Sequence, residues 1–184
     1  MTHKIEAVWK KTTPELEQEI SGFWVSEKAL PNAEAAMLRA KQAVCIARNE
    51  SGKLIAVCTA RPKLIPRLRQ RLYYYRTFVG SEHRNSKLVY PMMMEARNVL
   101  QQYALAQPQP ECIGVIIEFE NKGLGQAYPI AHDGPSKFMF IGFSPKGLDQ
   151  RVSYFDGVSL QTPEQVRAAI KAAGGQLPAA AGSR

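Results

Sequence analysis

The chain has 184 residues, 45% of them hydrophobic, and its 24 Lys and Arg outnumber 16 Asp and Glu for a formal charge of +8. That length supplies one hydrophobic core and leaves too little for a second, which predicts a single domain over 1–178 and a frayed tail over 179–184. No apolar run approaches the ~20 residues a membrane span needs, and the residues after Met1 lack the apolar core of a secretory leader, so the expectation is a cytoplasmic protein with no membrane partner.

In chain order, Ile5 to Trp9 alternates like a short strand. Thr13-Pro14-Glu15 then predicts a helix start, with Thr13 as cap and Pro14 at the first helical position, and the helix runs through Leu16, Ile20, Phe23 and Trp24. A break at Leu30-Pro31-Asn32 precedes a second short helix over Ala33 to Lys41, and together the two helices suit a lid. Ala43 to Arg48 and Leu54 to Ala60 flank a polar, Gly-containing turn, the pattern of a β-hairpin. Pro62 and Pro66 argue against continuing that strand, so Pro62 to Gln70 is expected to be a loop or short helical turn.

Leu72 to Val79 is dense in aromatic and β-branched residues and predicts a strand, and Gly80 to Ser86 predicts a turn. From Leu88, the residues Met92, Met93, Ala96, Val99, Leu100 and Tyr103 form the stripe of a long amphipathic helix, with Pro91 tolerated only in its first turn. A strand entering a helix through a polar turn leaves main-chain N–H groups at the helix N-terminus, a place for an anion or phosphate. After the stiff Gln107–Pro110 linker, Cys112 to Phe119 reads as a strand buried on both faces, and a strand, helix and strand in succession imply a parallel pair. Lys122 to Pro135 is irregular. Phe138 to Phe143 and Val152 to Phe155 are two more strands, and Thr162 caps a last helix through Val166 and Ile170.

The three cysteines, Cys45, Cys58 and Cys112, each lie in an apolar segment and are expected to be buried rather than bridged or metal-bound. The charge favours anionic partners. Arg61, Lys63, Arg67, Arg69, Arg71 and Arg76, beside three tyrosines, read either as a nucleic-acid surface or as a solvated connection leading into a half-wet strand. No recognition-helix, zinc-finger or aromatic RNA-binding pattern accompanies them, so weak, nonspecific nucleic-acid binding is the most that is expected. His83 and His132 lack any spacing diagnostic of metal ligation or a triad, and Gly123-x-Gly125 lacks the third glycine of a dinucleotide fingerprint.

The order of strand, helices, hairpin, aromatic strand, turn, long helix, buried strand and final strand pair resembles the GCN5-related N-acetyltransferase (GNAT) superfamily from about Ile5 to Leu160. Val79 through Arg84 into Met92-Met93, Glu118-Phe119-Glu120-Asn121, and Gly142-Phe143 carry the local likeness. The resemblance implies an α+β domain whose mostly antiparallel, twisted sheet of six to seven strands holds one parallel pair and is flanked by helices. It further implies acetyl-CoA or another acyl-CoA as cofactor, a small-molecule or protein amine as acceptor, and room for a homodimer. The family's pyrophosphate loop maps onto Arg84-Asn85-Ser86-Lys87-Leu88-Val89. Arg84 matches, while Lys87 and Val89 stand where the family has small residues, so a cofactor-free binding module is the alternative to an enzyme.

By the same resemblance, main-chain N–H groups near Phe78 and Val79 receive the acyl carbonyl, and Asn121 ends the fifth strand. Glu118 or Glu120 is the expected base and Tyr128 or Tyr154 the expected acid. Alternation puts Glu118 and Glu120 on one strand face, and desolvation at a buried strand end is expected to raise their pKa.

Overall fold

The computed structural model describes residues 3–84, 86–120 and 128–172. Their elements are β1 (Lys4–Ala7), α1 (Pro14–Ser26), α2 (Ala33–Ala40), β2 (Ala43–Arg48), β3 (Leu54–Ile65), β4 (Gln70–Val79), α3 (Val89–Leu105), β5 (Gly114–Glu118), β6 (Met139–Phe143), β7 (Asp149–Tyr154) and α4 (Pro163–Ala172). One sheet runs in the order β1-β2-β3-β4-β5-β7-β6. Every neighbouring pair is antiparallel except β4 and β5, the two strands that α3 connects.

Local chemistry sets the helix ends. The Thr13 hydroxyl accepts from the Leu16 amide at 3.3 Å, the Asn32 side chain accepts from Ala35 at 2.8 Å, and Thr162 accepts from Gln165 at 3.3 Å. At α4 the Gln165 side chain answers by accepting from the Thr162 amide at 2.8 Å, so two otherwise unpaired donors are satisfied reciprocally.

The helices cover opposite faces of the sheet. On one face α3 buries Met92, Ala96, Leu100 and Ala104, one turn apart, against Val44, Cys45, Tyr73, Val115 and Ile117. Trp9 packs edge-on to both Tyr73 and Tyr103 in the same core. On the other face α1 and α2 set Ile20, Trp24, Ala36 and Ala40 against Ile46, Leu54 and Val57. Trp24 is 2% exposed, and truncating such a side chain costs about 3–5 kcal/mol. A third cluster, Ile65, Leu72, Ile113, Ile116 and Val152, fills the far end of the α1–α2 face. All three cysteines are free and buried. No helix among the described residues is long and apolar enough to cross a membrane.

The expected loop over Pro62 to Gln70 is instead the end of a long hairpin. β3 continues to Ile65, and Pro62 lies opposite Tyr73. The Ala60 amide donates to Gln42 of the segment entering β2, so the main chain of every second residue from Ala60 points that way. Pro62 therefore faces the side on which β2 has already ended, where a missing N–H costs no ladder bond.

The basic stretch also differs from a solvated connection. Arg71 is 6% exposed and pairs with Glu111 at 3.2 Å. Arg67 reaches across to β6, donating to the Ile141 carbonyl and, at 3.1 Å, to that of Phe143. Its guanidinium lies against Gly142, whose φ of +114° is denied to most side chains.

Candidate functional site

β4 and β5 pair over three positions only, Tyr73 to Tyr75 against Val115 to Ile117. β4 then continues to Val79 while β5 stops at Glu118, so among the described residues no strand pairs with the last part of β4 on the side toward the gap. The Gly80 amide donates to Ile55 of β3 at 2.9 Å, which fixes the alternation. Phe78 and Arg76 turn their main-chain groups to β3, and Thr77 and Val79 turn theirs toward the gap.

The gap leads to the N-terminus of α3. Leu88 precedes the helix with no side-chain cap, and the first helical bond runs from Met92 to Leu88. The N–H groups of Val89 and Tyr90 therefore precede the ladder, and Pro91 has none. A helix start of this kind favours an anion. Before it, Ser81–His83 forms a 3₁₀ turn, Ser86 bonds back to the His83 carbonyl, and Glu27, just past α1, accepts from the Ser81 amide at 3.0 Å. Lys87 has φ 55°, the left-handed conformation that glycine adopts most readily. The turn thus keeps a glycine-type backbone at a position where the sequence has Lys. Arg84, Lys87 and Val89 are all exposed there. Asn85 and Asn121 lie outside the described residues. These features fit a phosphate-bearing cofactor: an open strand edge, an uncapped helix start and two cations beside it.

On the α1–α2 side of the gap, Glu118 accepts from the Tyr74 hydroxyl at 2.8 Å and from Gln150 Nε2 at 2.8 Å. Glu120 forms an ion pair with Arg76, two residues along β4 from Tyr74, so both acids share this face. The direction of the Glu118 titration is opposite to the sequence expectation. Desolvation does raise it, but the Gln150 and Tyr74 hydrogen bonds and the charges of Lys63 and Arg76 outweigh burial and hold the carboxyl below its ordinary value.

Tyr128 lies on the other side of the sheet end. The Arg151 guanidinium stands 5.5 Å from its ring and 5.2 Å from that of Phe119, and Arg151 donates to the Tyr128 carbonyl at 2.7 Å. Burial, then the hydrogen bond and charge of Asp133, push the Tyr128 phenol up to about 12. Asp133 is buried, accepts from the Ser136 amide at 3.1 Å, and also meets the Tyr90 hydroxyl of α3 at 3.4 Å. Tyr128 is thereby tied to the helix start.

Tyr154 is not brought to these groups. It pairs with Gly114 while Gln150 pairs with Glu118, which places it about 13 Å along the strand, in the third core cluster.

Sequence reasoning missed Tyr74, Gln150 and Asp133 as partners. Tyr74 and Arg76 alternate in phase with Glu118 and Glu120, but only the β4–β5 register makes that phase meaningful.

No protein-family model matches the chain, and no curated protein sequence does. Solved structures do. A ribosomal-protein-S5-alanine acetyltransferase from Vibrio fischeri is 9% identical with a TM-score of 0.54, over 85% of this chain and 95% of that one. A GNAT-family acetyltransferase from Listeria monocytogenes is 13% identical with a TM-score of 0.53, over 83% and 95%. A mutant of the toxin AtaT, bound to the C-terminus of the antitoxin AtaR and acetyl-CoA, is 13% identical with a TM-score of 0.53, over 90% and 96%. At such identities the likeness is one of architecture, and it agrees with the split parallel pair and the seven-stranded mixed sheet: the chain has the fold of the GNAT superfamily.

Proposed function

We propose that this protein is an acyl-CoA-dependent N-acyltransferase. The observation that carries the reading is the parting of β4 and β5 in front of an uncapped α3, where strand main chain and helix N–H groups converge on one opening. Arg84, Lys87 and the first amides of α3 would hold the phosphates, and the main chain of Thr77 and Val79 would line the acyl end. Bound there, acyl-CoA supplies an activated acyl group as a thioester.

The remaining roles belong to the chain's own side chains. Glu118 is held ionised by two donors, so it suits an acceptor ammonium better than a neutral amine, positioning it and taking up its proton through water. Glu120 adds negative charge beside it, partly offset by Arg76. Tyr128, on the α3 side, keeps its proton well above neutral pH and would offer one to a departing thiolate. The two proton-handling groups stand on opposite faces, so acceptor and cofactor approach from different sides.

Isothermal titration with CoA and acetyl-CoA tests the reading. Saturable binding that weakens in Arg84→Gln supports it. No heat at millimolar ligand removes the enzyme and leaves a GNAT-fold binding module, the alternative that Lys87 and Val89 in the loop favour.

A further inference from the structure

α2 and the middle of β3 and β4 border a cavity of about 330 Å³ whose lining includes Arg39, Gln42, Thr59, Arg61, Tyr74 and Arg76. That volume is at the lower end of small-molecule sites. Its polar lining is one-sided in charge. Arg39 is anchored by its Nε to the Thr59 hydroxyl at 3.3 Å and lies 5.7 Å from the Trp24 ring. Arg61, Lys63 and Arg76 stand 5.6, 4.4 and 5.6 Å from the ring of Tyr74. Of these four cations only Arg76 has an ion pair among the described residues, with Glu120.

Such an arrangement is costly for the protein alone. Burial first, and then the charges of Arg76 and Arg61, lower the Arg39 guanidinium from its ordinary value. Arg39 and Arg61, like charges held on a fixed scaffold with no ion pair among the described residues, would be relieved by an incoming anion, and planar guanidinium groups suit carboxylate and phosphate oxygens. Tyr74, which lines the cavity, donates its hydroxyl to Glu118, so the cavity and the proposed amine position share one side chain.

We infer that the acceptor is an amine carrying an anionic group, a phosphate or carboxylate, which this cavity receives through Arg39 and Arg61 while the amine lies toward Glu118. The inference rests on the acyltransferase reading for the identity of the ligand, and on the cavity alone for its charge.

The test has two arms. In the first, inorganic phosphate is titrated into the protein without CoA, and into Arg39→Gln, Arg61→Gln and Arg84→Gln. Loss of a charge-assisted contact predicts about tenfold weaker binding or more at the cavity in the first two variants, whereas Arg84→Gln weakens only the separate phosphate site at the start of α3. Arg61 is exposed, so its variant is expected to fold even where Arg39→Gln does not. A phosphate titration identical in the parent and both cavity variants leaves only the site at α3 and overturns the inference, whether or not acetyl-CoA binds. In the second arm, thiol release from acetyl-CoA is followed with O-phosphoethanolamine, β-alanine and ethanolamine. Preference for an anionic amine, reduced mainly through KM in Arg61→Gln, supports the inference, and its two anionic substrates separate phosphate from carboxylate. Equal or better use of ethanolamine overturns the inference and leaves the acyltransferase reading standing. Acetyl-CoA that fails to bind while phosphate still depends on Arg39 and Arg61 overturns that reading and leaves the anion site.

Discussion

Replacing Glu118 by Gln keeps the size of the side chain and removes its charge. In the native protein one carboxylate oxygen accepts from Tyr74 and the other from Gln150, each at 2.8 Å. After Glu118→Gln the amide oxygen can keep Gln150, but the amide nitrogen only donates, so the Tyr74 hydroxyl must turn round and accept. Two charge-assisted bonds become neutral ones, which are roughly half as strong, and a half-exposed site reduces the loss, leaving about 1 kcal/mol. The sign of the pH dependence follows from the direction of the shift. The folded carboxyl titrates below its ordinary value of 4.5, so its stabilisation is present above that value and is lost as pH falls through the folded one. Urea unfolding, followed by the fluorescence of the buried Trp24, should show the gap between parent and variant at pH 7 closing as pH is lowered past about 4. A gap that persists unchanged would place the effect in packing and refute the electrostatic account. Activity is the second readout: loss of a proton-handling group costs about 10²- to 10⁴-fold in kcat/KM. The parent should show no acid limb from this residue above about pH 5, and a variant with the parent's rate would remove Glu118 from the chemistry.

Gly114→Ala should cost about 1–3 kcal/mol or more, because the new Cβ would lie 2.5 Å from the Ser153 carbonyl oxygen and 2.9 Å from Tyr154 Cα, main-chain atoms that cannot rotate away. Thermal unfolding at the parent's temperature would refute that close approach of β5 and β7. Lys87→Gly releases about 1 kcal/mol of left-handed strain and gives back a similar amount in unfolded-chain entropy, so stability should hardly move. Calorimetry with acetyl-CoA should then show weaker binding from the lost cation, and a gain in affinity would mean that the Lys87 side chain obstructs the loop.

The fold was legible where its causes are local. Thr13 and Thr162 cap helices because their hydroxyls meet amides three residues on, and the α3 stripe follows from helical spacing alone. The misreading at Pro62 has the opposite origin. A missing N–H breaks a strand only if a neighbour needs it, and the neighbour here is β2, whose endpoint no local pattern announces. The resemblance made Glu118 a candidate, yet its expected rise in pKa considered burial without partners. Those partners, Tyr74 and Gln150, sit 44 and 32 residues away in the chain and are delivered by strand register.

The cavity shows the same limit from the other side. Arg61 and Arg76 were conspicuous in the sequence as part of a basic run, but that run divides in space. Arg67 and Arg71 turn to carbonyls of β6 and to Glu111, while Arg61 and Arg76 turn to Tyr74 and are joined by Arg39 from a helix. A charge-reversal of Arg67, Arg69 and Arg71 together would therefore test packing before it tested nucleic-acid binding. Arg61, which alternation on β3 places on the α2 face, and Arg39 have no ion pair among the described residues, and the concentration of cations around one half-buried phenol is what separates a candidate binding site from a merely basic protein.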